Sequence, residues 1–250
     1  MAGIRKDRLD VLVVERGLAE SREQAQRLIL AGQVLVDGHP HTKAGQRVAA
    51  DARIEAKATA RFVSRGGEKL EAAFERFALD VTGRVCLDVG ASTGGFTDCM
   101  LQHGAAHVIA LDVGTAQLHW KMRQDERVTV IEQFNARYLQ AGDLPLVPTF
   151  ATFDVSFISL ALVMPPVAAL LSAGGELVTL IKPQFEAGRE QVEKGGVVRD
   201  PAVREAVVQR IRAFGEHVLK LDWLGVMESP VLGPAGNVEF LGWWRKTEDA

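Results

Sequence analysis

From residue 85 onward the chain alternates short, nearly unbroken apolar runs with stretches in which apolar residues recur every three to four positions. Residues 85–89, 107–112, 128–131, 149–155, 175–181, 219–226 and 238–244 are of the first kind and read as strands buried on both faces. Helical spacing fills most of the gaps, most clearly over 160–171 and 201–217. That alternation predicts an α/β fold with a doubly wound, largely parallel sheet. The last two strands are separated only by residues 229–236, a loop carrying Pro230, Gly233, Pro234 and Gly236. It is too short for a crossover helix, so the last strand is expected to run antiparallel.

The amino-terminal stretch has a different rhythm. Leu9, Leu12 and Val13 recur at helical spacing over 8–16 and the segment closes on Gly17, while Ser21-Arg22-Glu23-Gln24 is a capping box that opens a second helix with Ala25, Leu28 and Ile29 inward. After Gly32, residues 33–36 read as a strand, Asp37-Gly38 as a hairpin turn, and 48–56, with Ile54, as a further strand region. This is a small α+β domain over residues 1–58. The run RLDVLVVERGLAESREQAQRLILAGQVLVDG resembles the S4-like RNA-binding domain. The resemblance implies a basic face turned to structured RNA, and carries that role onto Arg8, Arg22, Arg27 and Lys43, with Arg65 of the linker added to the set and Arg5 and Lys6 lying ahead of the motif. Residues 59–68, rich in Arg, Ser and Gly, read as a linker, and helix is expected to resume at Lys69 with Leu70, Ala73, Phe74 and Phe77 inward, opening a second domain over 69–250.

Composition narrows the class without naming a function. With 250 residues, 47% hydrophobic and 24% charged, the chain has the make-up of a globular protein of one large and one small domain. No apolar run reaches membrane-spanning length and residues 1–10 are too polar for a signal peptide, so a cytoplasmic protein without membrane contact is expected. Cys86 and Cys99 lack metal-ligand spacing and read as buried thiols, so neither a metal nor a disulfide is expected. The net charge of −3 hides an asymmetry: residues 1–69 carry 13 Lys and Arg against 9 Asp and Glu, whereas residues 70–250 carry 16 against 23. An RNA surface is therefore sought at the amino-terminal end, where a merely solvated charged face is the competing account.

The chemistry centres on VCLDVGASTGGFTDCM, residues 85–100. Strand, glycine-rich turn and helix follow one another, and such a turn at the carboxyl end of a parallel strand brings backbone and free helix N–H groups to a ligand. A dinucleotide fingerprint would need glycine where Ser92 stands, which disfavours NAD. Gly90-Ala91-Ser92-Thr93-Gly94 also spells G-x-S-x-G, the nucleophile elbow of serine hydrolases, with Asp154 and His217 following in the hydrolase order. Against it, Ser92 follows the first strand of its domain and His217 ends a helix. The third reading is the motif of class I S-adenosylmethionine (SAM) methyltransferases, with Asp88 before the turn and Asp112 ending the next strand to grip ribose hydroxyls. It assigns the cofactor to Asp88, Gly90, Ser92, Gly94, Gly95, Phe96, Thr97 and Asp112.

Three further charges stand in apolar surroundings. Asp154 and Lys182 end strands, and Glu239 lies between Val238 and Phe240. Charges so placed are costly unless paired or functional. Parallel strand ends converge on one rim, which brings Asp154 and Lys182 to the glycine turn, as a structural ion pair or as chemistry. A lysine flanked by carboxylates suits the orientation of a ribose 2′-hydroxyl, and Asp154-Val155-Ser156-Phe157 departs from the Asn/Asp-Pro-Pro-aromatic signature of amino methylation. For Lys69 the local sequence offers only a solvent-facing side chain.

SRGGEKL, CLDVGASTGGFTD, ALDVG, FDVSFISL, LIKPQFE and GNVEFLGW together resemble the TlyA family, in which an S4-like domain precedes an FtsJ-like ribose methyltransferase domain. The resemblance implies a Rossmann-like class I SAM methyltransferase sheet, SAM as cofactor, and 2′-O-methylation of cytidine in 16S and 23S ribosomal RNA, within ribosomal subunits. It also implies a Lys-Asp-Lys-Glu tetrad that falls on Lys69, Asp154, Lys182 and Glu239, and so moves Lys69 from the surface to the site. Phe62 stands in the linker where the best-known members have tryptophan. The older haemolysin naming of the family raises a membrane-active protein as a rival, for which the chain offers no cationic amphipathic helix.

Overall fold

The computed structural model describes residues 5–56 and 61–247. The chain divides into two compact units, Met1–Arg61 and Phe62–Ala250. The domain end set at residue 58 and the first linker positions, 59 and 60, lie outside the described residues.

The first unit runs β1 (Lys6–Arg8), α1 (Leu9–Glu15), α2 (Arg22–Leu30), β2 (Val34–Val36), β3 (His39–His41), β4 (Arg47–Ala49) and β5 (Ile54–Ala56). Ser21 caps α2 by accepting the Gln24 N–H at 3.2 Å, and the Gln24 side chain reaches back to the Glu20 N–H at 2.8 Å. Asp37 and Gly38 both take positive φ, 51° and 81°, as a two-residue type I′ hairpin turn between β2 and β3 requires. The strand region expected over 48–56 is two strands with different partners. β4 pairs with β1, whereas β5 pairs with β2 in a β3-β2-β5 sheet, because the chain turns at residues 50–52 between them. Leu9, Leu12, Val13, Ala25, Ile29, Val34 and Ile54 form the core, as their spacing predicts.

Beneath this core edge lies Asp10, fully buried, whose carboxylate accepts from Arg8 Nε at 3.0 Å, Gln26 Nε2 at 3.0 Å and Arg22 Nε at 2.9 Å. The bond from Arg8 above all holds the Asp10 carboxyl well below the usual carboxylate range. A depressed pKa contributes stability that is present above the unfolded value, ~4, and is lost as pH falls below it. Asp10→Asn should therefore destabilise this unit at pH 7 by roughly 1–3 kcal/mol and flatten its loss of stability between pH 5 and 2, as thermal unfolding of the whole chain across that range would show. An unchanged acid limb in the variant would contradict the assignment.

The second unit runs α3 (Gly66–Phe77), β6 (Val85–Val89), α4 (Gly95–Gln102), β7 (His107–Leu111), α5 (Trp120–Arg123), β8 (Val128–Ile131), β9 (Phe150–Phe153), α6 (Leu160–Leu170), β10 (Glu176–Ile181), α7 (Pro183–Glu186), α8 (Pro201–His217), β11 (Leu221–Glu228) and β12 (Phe240–Lys246). Its seven strands lie in the order β11-β12-β10-β9-β6-β7-β8. β8, β7, β6, β9 and β10 are parallel, and β12 slots antiparallel between β10 and β11, as the short loop before it demands. Both faces of β6, β7, β9 and β10 are buried, whereas the edge strand β11 exposes every second residue. Alternate strand residues feed one cluster with Leu70, Phe74, Cys86, Met100, Val108 and Phe150, and another with Leu87, Ile109, Phe153, Met164, Ile211 and Trp244. Each such side chain contributes about 1.5–3 kcal/mol by leaving water, which explains the unbroken apolar runs.

Two expectations need correction. α3 begins at Gly66, three residues before Lys69, so the double glycine opens the helix instead of belonging to a linker. The second of them serves close packing: a Cβ on Gly67 would fall 2.2 Å from the ring of the buried Phe62, whereas one on Gly66 would make only ordinary contacts. Glu239 precedes β12 and does not lie within it, since the ladder begins at Phe240.

Candidate active site

The parallel strands deliver their carboxyl ends to one rim. Gly90 follows β6, Asp112 follows β7, Asp154 follows β9 and Lys182 follows β10. Because β12 runs the other way, its beginning comes to the same rim. Ile181 pairs with Phe240, and the next residue out on each strand is Lys182 or Glu239. Lys69 arrives from α3, whose start presses on the glycine turn. A Cβ on Gly95 would lie 2.3 Å from Ser64 Oγ and 2.7 Å from the Gly67 nitrogen, so only glycine lets the two segments meet.

Two ion pairs result. Lys182 Nζ lies 2.6 Å from Asp154 Oδ1 and donates to Ser156 Oγ at 3.1 Å. Lys69 Nζ donates to Glu239 Oε2 at 2.5 Å, with both side chains buried. The rim thus brings together all four residues that the sequence reading assigns to chemistry. Two cavities open there. The first, about 340 Å³, is lined by Arg65, Lys69, Lys182, Asp154 and Ser156 and by the turn through Gly90, Ser92, Gly95 and Phe96. The second, about 460 Å³, has apolar walls from Val89, Leu111, Val113, Phe134 and Val163, with Asp112 and Asn135 as polar groups. Gly90, Ser92, Asp154 and Ser156 border both.

Five of the residues assigned to the cofactor, Gly90, Ser92, Gly95, Phe96 and Asp112, line one cavity or the other. Asp112 also braces the turn, accepting the Ser92 N–H at 2.8 Å and the Gly114 N–H at 2.7 Å. Asp88, Thr97 and Gly94 line neither cavity. Asp88 is fully buried behind the turn, where Thr97 Oγ1 donates to it at 2.7 Å and Thr152 Oγ1 at 3.1 Å. Burial pushes its carboxyl up to about 7 despite those bonds. Gly94, at φ 97°, is enclosed by Leu118 and Met122. These three shape the turn from behind.

The sequence reading missed Ser156, Asn135, Phe157, Gln184 and Gly233. Ser156 carried a signal in standing where the amino-methylation signature has its second proline, and Phe157 in filling that signature's aromatic position. Phe157 is 90% exposed at φ 63°, a costly conformation for a bulky residue, with its ring 4.8 Å from that of Phe185. In the amino-terminal unit Arg8, Arg22, Arg27 and Lys43 are all exposed, and the first two share Asp10. Elsewhere His103 bonds Glu71 at 2.7 Å and stacks on Phe74, beside Cys99. Cys86 and Cys99 are both buried thiols.

The hydrolase arrangement does not assemble. Asp154 is paired with Lys182, while His217 is exposed at the end of α8 and lines neither cavity. Among the described residues, no helix is long and apolar enough to cross a membrane.

Comparison with known proteins agrees with the fold. A family model for FtsJ-like methyltransferases matches residues 62–246 and one for S4 domains matches residues 7–54. The chain is 45% identical to the 16S/23S rRNA (cytidine-2′-O)-methyltransferase TlyA of Mycobacterium tuberculosis over 98% of its own length and 92% of that protein. It is 44% identical to Hemolysin A of Brachyspira hyodysenteriae over 94% of its length and 98% of that protein. The solved structure of a hemolysin candidate from Streptococcus thermophilus superposes with a TM-score of 0.75 at 46% identity, covering 98% of this chain and 90% of that one.

Proposed function

Because the chain belongs to the FtsJ-like methyltransferase family, with an S4 domain ahead of the transferase, we propose that it methylates the ribose 2′-oxygen of cytidines in ribosomal RNA with SAM as donor. The observation that carries this reading is the pair of ammonium–carboxylate contacts at the rim, Lys182 with Asp154 and Lys69 with Glu239, beside a glycine turn that borders two adjoining cavities.

The residues present suit SAM. The second cavity offers apolar walls for an adenine ring and the Asp112 carboxylate for ribose hydroxyls, and the missing Cβ of Gly90 lets the turn lie against the Asp154 backbone where the two cavities adjoin. When bound, SAM supplies an electrophilic methyl group on a sulfonium. The chain's own part is to prepare the acceptor. A ribose hydroxyl is a weak nucleophile at neutral pH, so its oxygen needs a partner for the negative charge that builds as its proton passes to solvent water. Lys182, held by Asp154 and Ser156, presents an ammonium in the first cavity for that purpose. Lys69, anchored on Glu239, adds a second cation on the same wall, and Arg65 a third suited to phosphate. Phe157 offers a flat exposed face beside Asp154 on which an unstacked base can lie.

The test is transfer of labelled methyl to naked ribosomal RNA and to each ribosomal subunit, with mapping of 2′-O-methyl positions in cells with and without the protein. Cytidine 2′-O-methylation that depends on the protein is expected. Methylation of a base, or none on any of these substrates, would refute the reading, and the preferred particle reports whether the RNA is met inside an assembled subunit.

The S4 unit supplies electrostatic attraction to phosphates in this scheme. Replacing Arg27 and Lys43 by alanine should weaken binding to all RNAs alike and lower the slope of log affinity against log salt by about one for each phosphate that is no longer neutralised. Filter binding across a salt series would read it, and an unchanged slope would move the RNA surface away from these two side chains.

A further inference from the structure

The Glu239 carboxylate is held on both sides. Oε2 accepts from Lys69, and Oε1 accepts from Gln184 Nε2 at 2.9 Å. The chain also closes over it: a Cβ on Gly233 would fall 2.2 Å from Oε1. With no exposed surface and both oxygens engaged, this carboxylate has no route to an acceptor hydroxyl and acts only through Lys69.

Gln184 is held there at a cost. Its own Oε1 is buried and, among the described residues, has no hydrogen-bond partner, an arrangement that costs about 1–3 kcal/mol. The amide cannot turn to relieve this. A carboxylate only accepts, so the NH₂ end must face Glu239 and the oxygen must face away. The segment that carries it also matters. Lys182, Pro183 and Gln184 are consecutive at the end of β10, so one stretch of backbone anchors Lys182 against Asp154 and, two residues on, the counter-ion of Lys69. Pro183 at the first position of α7 fixes the backbone between them.

We propose that Gln184 is a positioning residue of the methyl-transfer site, which fixes the Glu239 carboxylate so that Lys69 is aimed into the first cavity, in step with Lys182. The inference rests on the methyltransferase reading above. Its substrate-side consequence is that the two lysines are set by one rigid element instead of two independent pairs.

The test is Gln184→Met, which keeps the volume and removes the donor, assayed in the full chain with SAM and ribosomal RNA. Turnover should fall roughly 10- to 100-fold while SAM affinity by calorimetry stays within about twofold. Combined with Glu239→Ala, the Gln184 change should have no further effect, because the group it positions is gone. Multiplied losses in the double variant, or wild-type turnover in Gln184→Met, would overturn the proposal. Gln184→Glu, which keeps the shape but sets a like charge against Glu239, guards against a misfolded methionine variant, and the same fall in turnover is expected of it. A readout without catalysis separates this inference from the reading beneath it. Acylation of Lys69, followed by mass spectrometry, should change severalfold in Gln184→Met while that of Lys182 does not. Equal labelling of Lys69 in both proteins would overturn the inference, whereas absence of methyl transfer by the wild-type chain would instead refute the functional reading.

Discussion

Lys182→Ala is expected to lower methyl transfer at least ~1,000-fold while changing SAM affinity less than about threefold. The ammonium sits at the meeting of strand end and cavity, 2.6 Å from Asp154 and 3.1 Å from Ser156, with its side chain almost wholly buried. A fixed, buried cation is worth roughly 4 kcal/mol to an oxygen that is gaining negative charge, which corresponds to that loss of rate. The donor cavity keeps its walls in the variant, because Lys182 lines only the first cavity. Asp154 is left without its partner, but its side chain is a quarter exposed and can be hydrated there. A purely structural ion pair would behave otherwise: stability and SAM affinity would fall together and turnover per folded molecule would hold. Single-turnover transfer alongside calorimetric SAM titration separates the two, and near-normal turnover would remove Lys182 from the chemistry.

How far this site could be read before the fold was known depended on the distance over which each residue finds its partner. β6, β8 and α8 were readable to the residue, since an apolar run or a helical period is a local property and Pro201 marks the helix start. Asp154 and Lys182 were legible because a charge ending an apolar strand is conspicuous and because parallel strands place such ends on one rim. Glu239 was conspicuous as a charge between Val238 and Phe240, although the sequence pattern put it inside β12 when the ladder starts one residue later. Lys69 was not legible from its surroundings. Its partner lies 170 positions away, and the double glycine before it reads as a break although it opens α3, which the missing Cβ of Gly95 lets press on the turn. Only a resemblance across the whole chain singled it out. Gln184 and Gly233 were silent for a like reason, since an amide and a glycine acquire meaning only from the carboxylate that the fold sets between them.

Gly90→Ala should abolish SAM binding and transfer together, with SAM affinity weakened more than ~100-fold. Gly90 stands at φ +85°, where a side chain costs about 1–2 kcal/mol by itself. The larger effect is steric. A Cβ there would lie 2.6 Å from the Asp154 carbonyl oxygen, 3.0 Å from its carbonyl carbon and 3.2 Å from the Val155 nitrogen, all backbone of the neighbouring strand end. Backbone cannot swing aside as a side chain can. The Asp154 N–H is bonded to the Val89 oxygen at 2.9 Å and the Gly90 N–H to the Leu111 oxygen at 2.8 Å, so relief requires parting β6 from β9 at the rim. That movement would carry Asp154 away from Lys182 and distort the turn that bears Ser92 and leans on Asp112. Overpacking and the unfavourable φ together should cost roughly 2–4 kcal/mol of stability. Gly174→Ala is the control: Gly174 also has positive φ, 67°, but no atom lies within 4 Å of the added carbon. It should lose only about 1–2 kcal/mol and bind SAM as the wild type does. Thermal unfolding and SAM titration of the two variants side by side would decide, and a Gly90→Ala protein that bound SAM normally would show that the donor does not lodge against this turn.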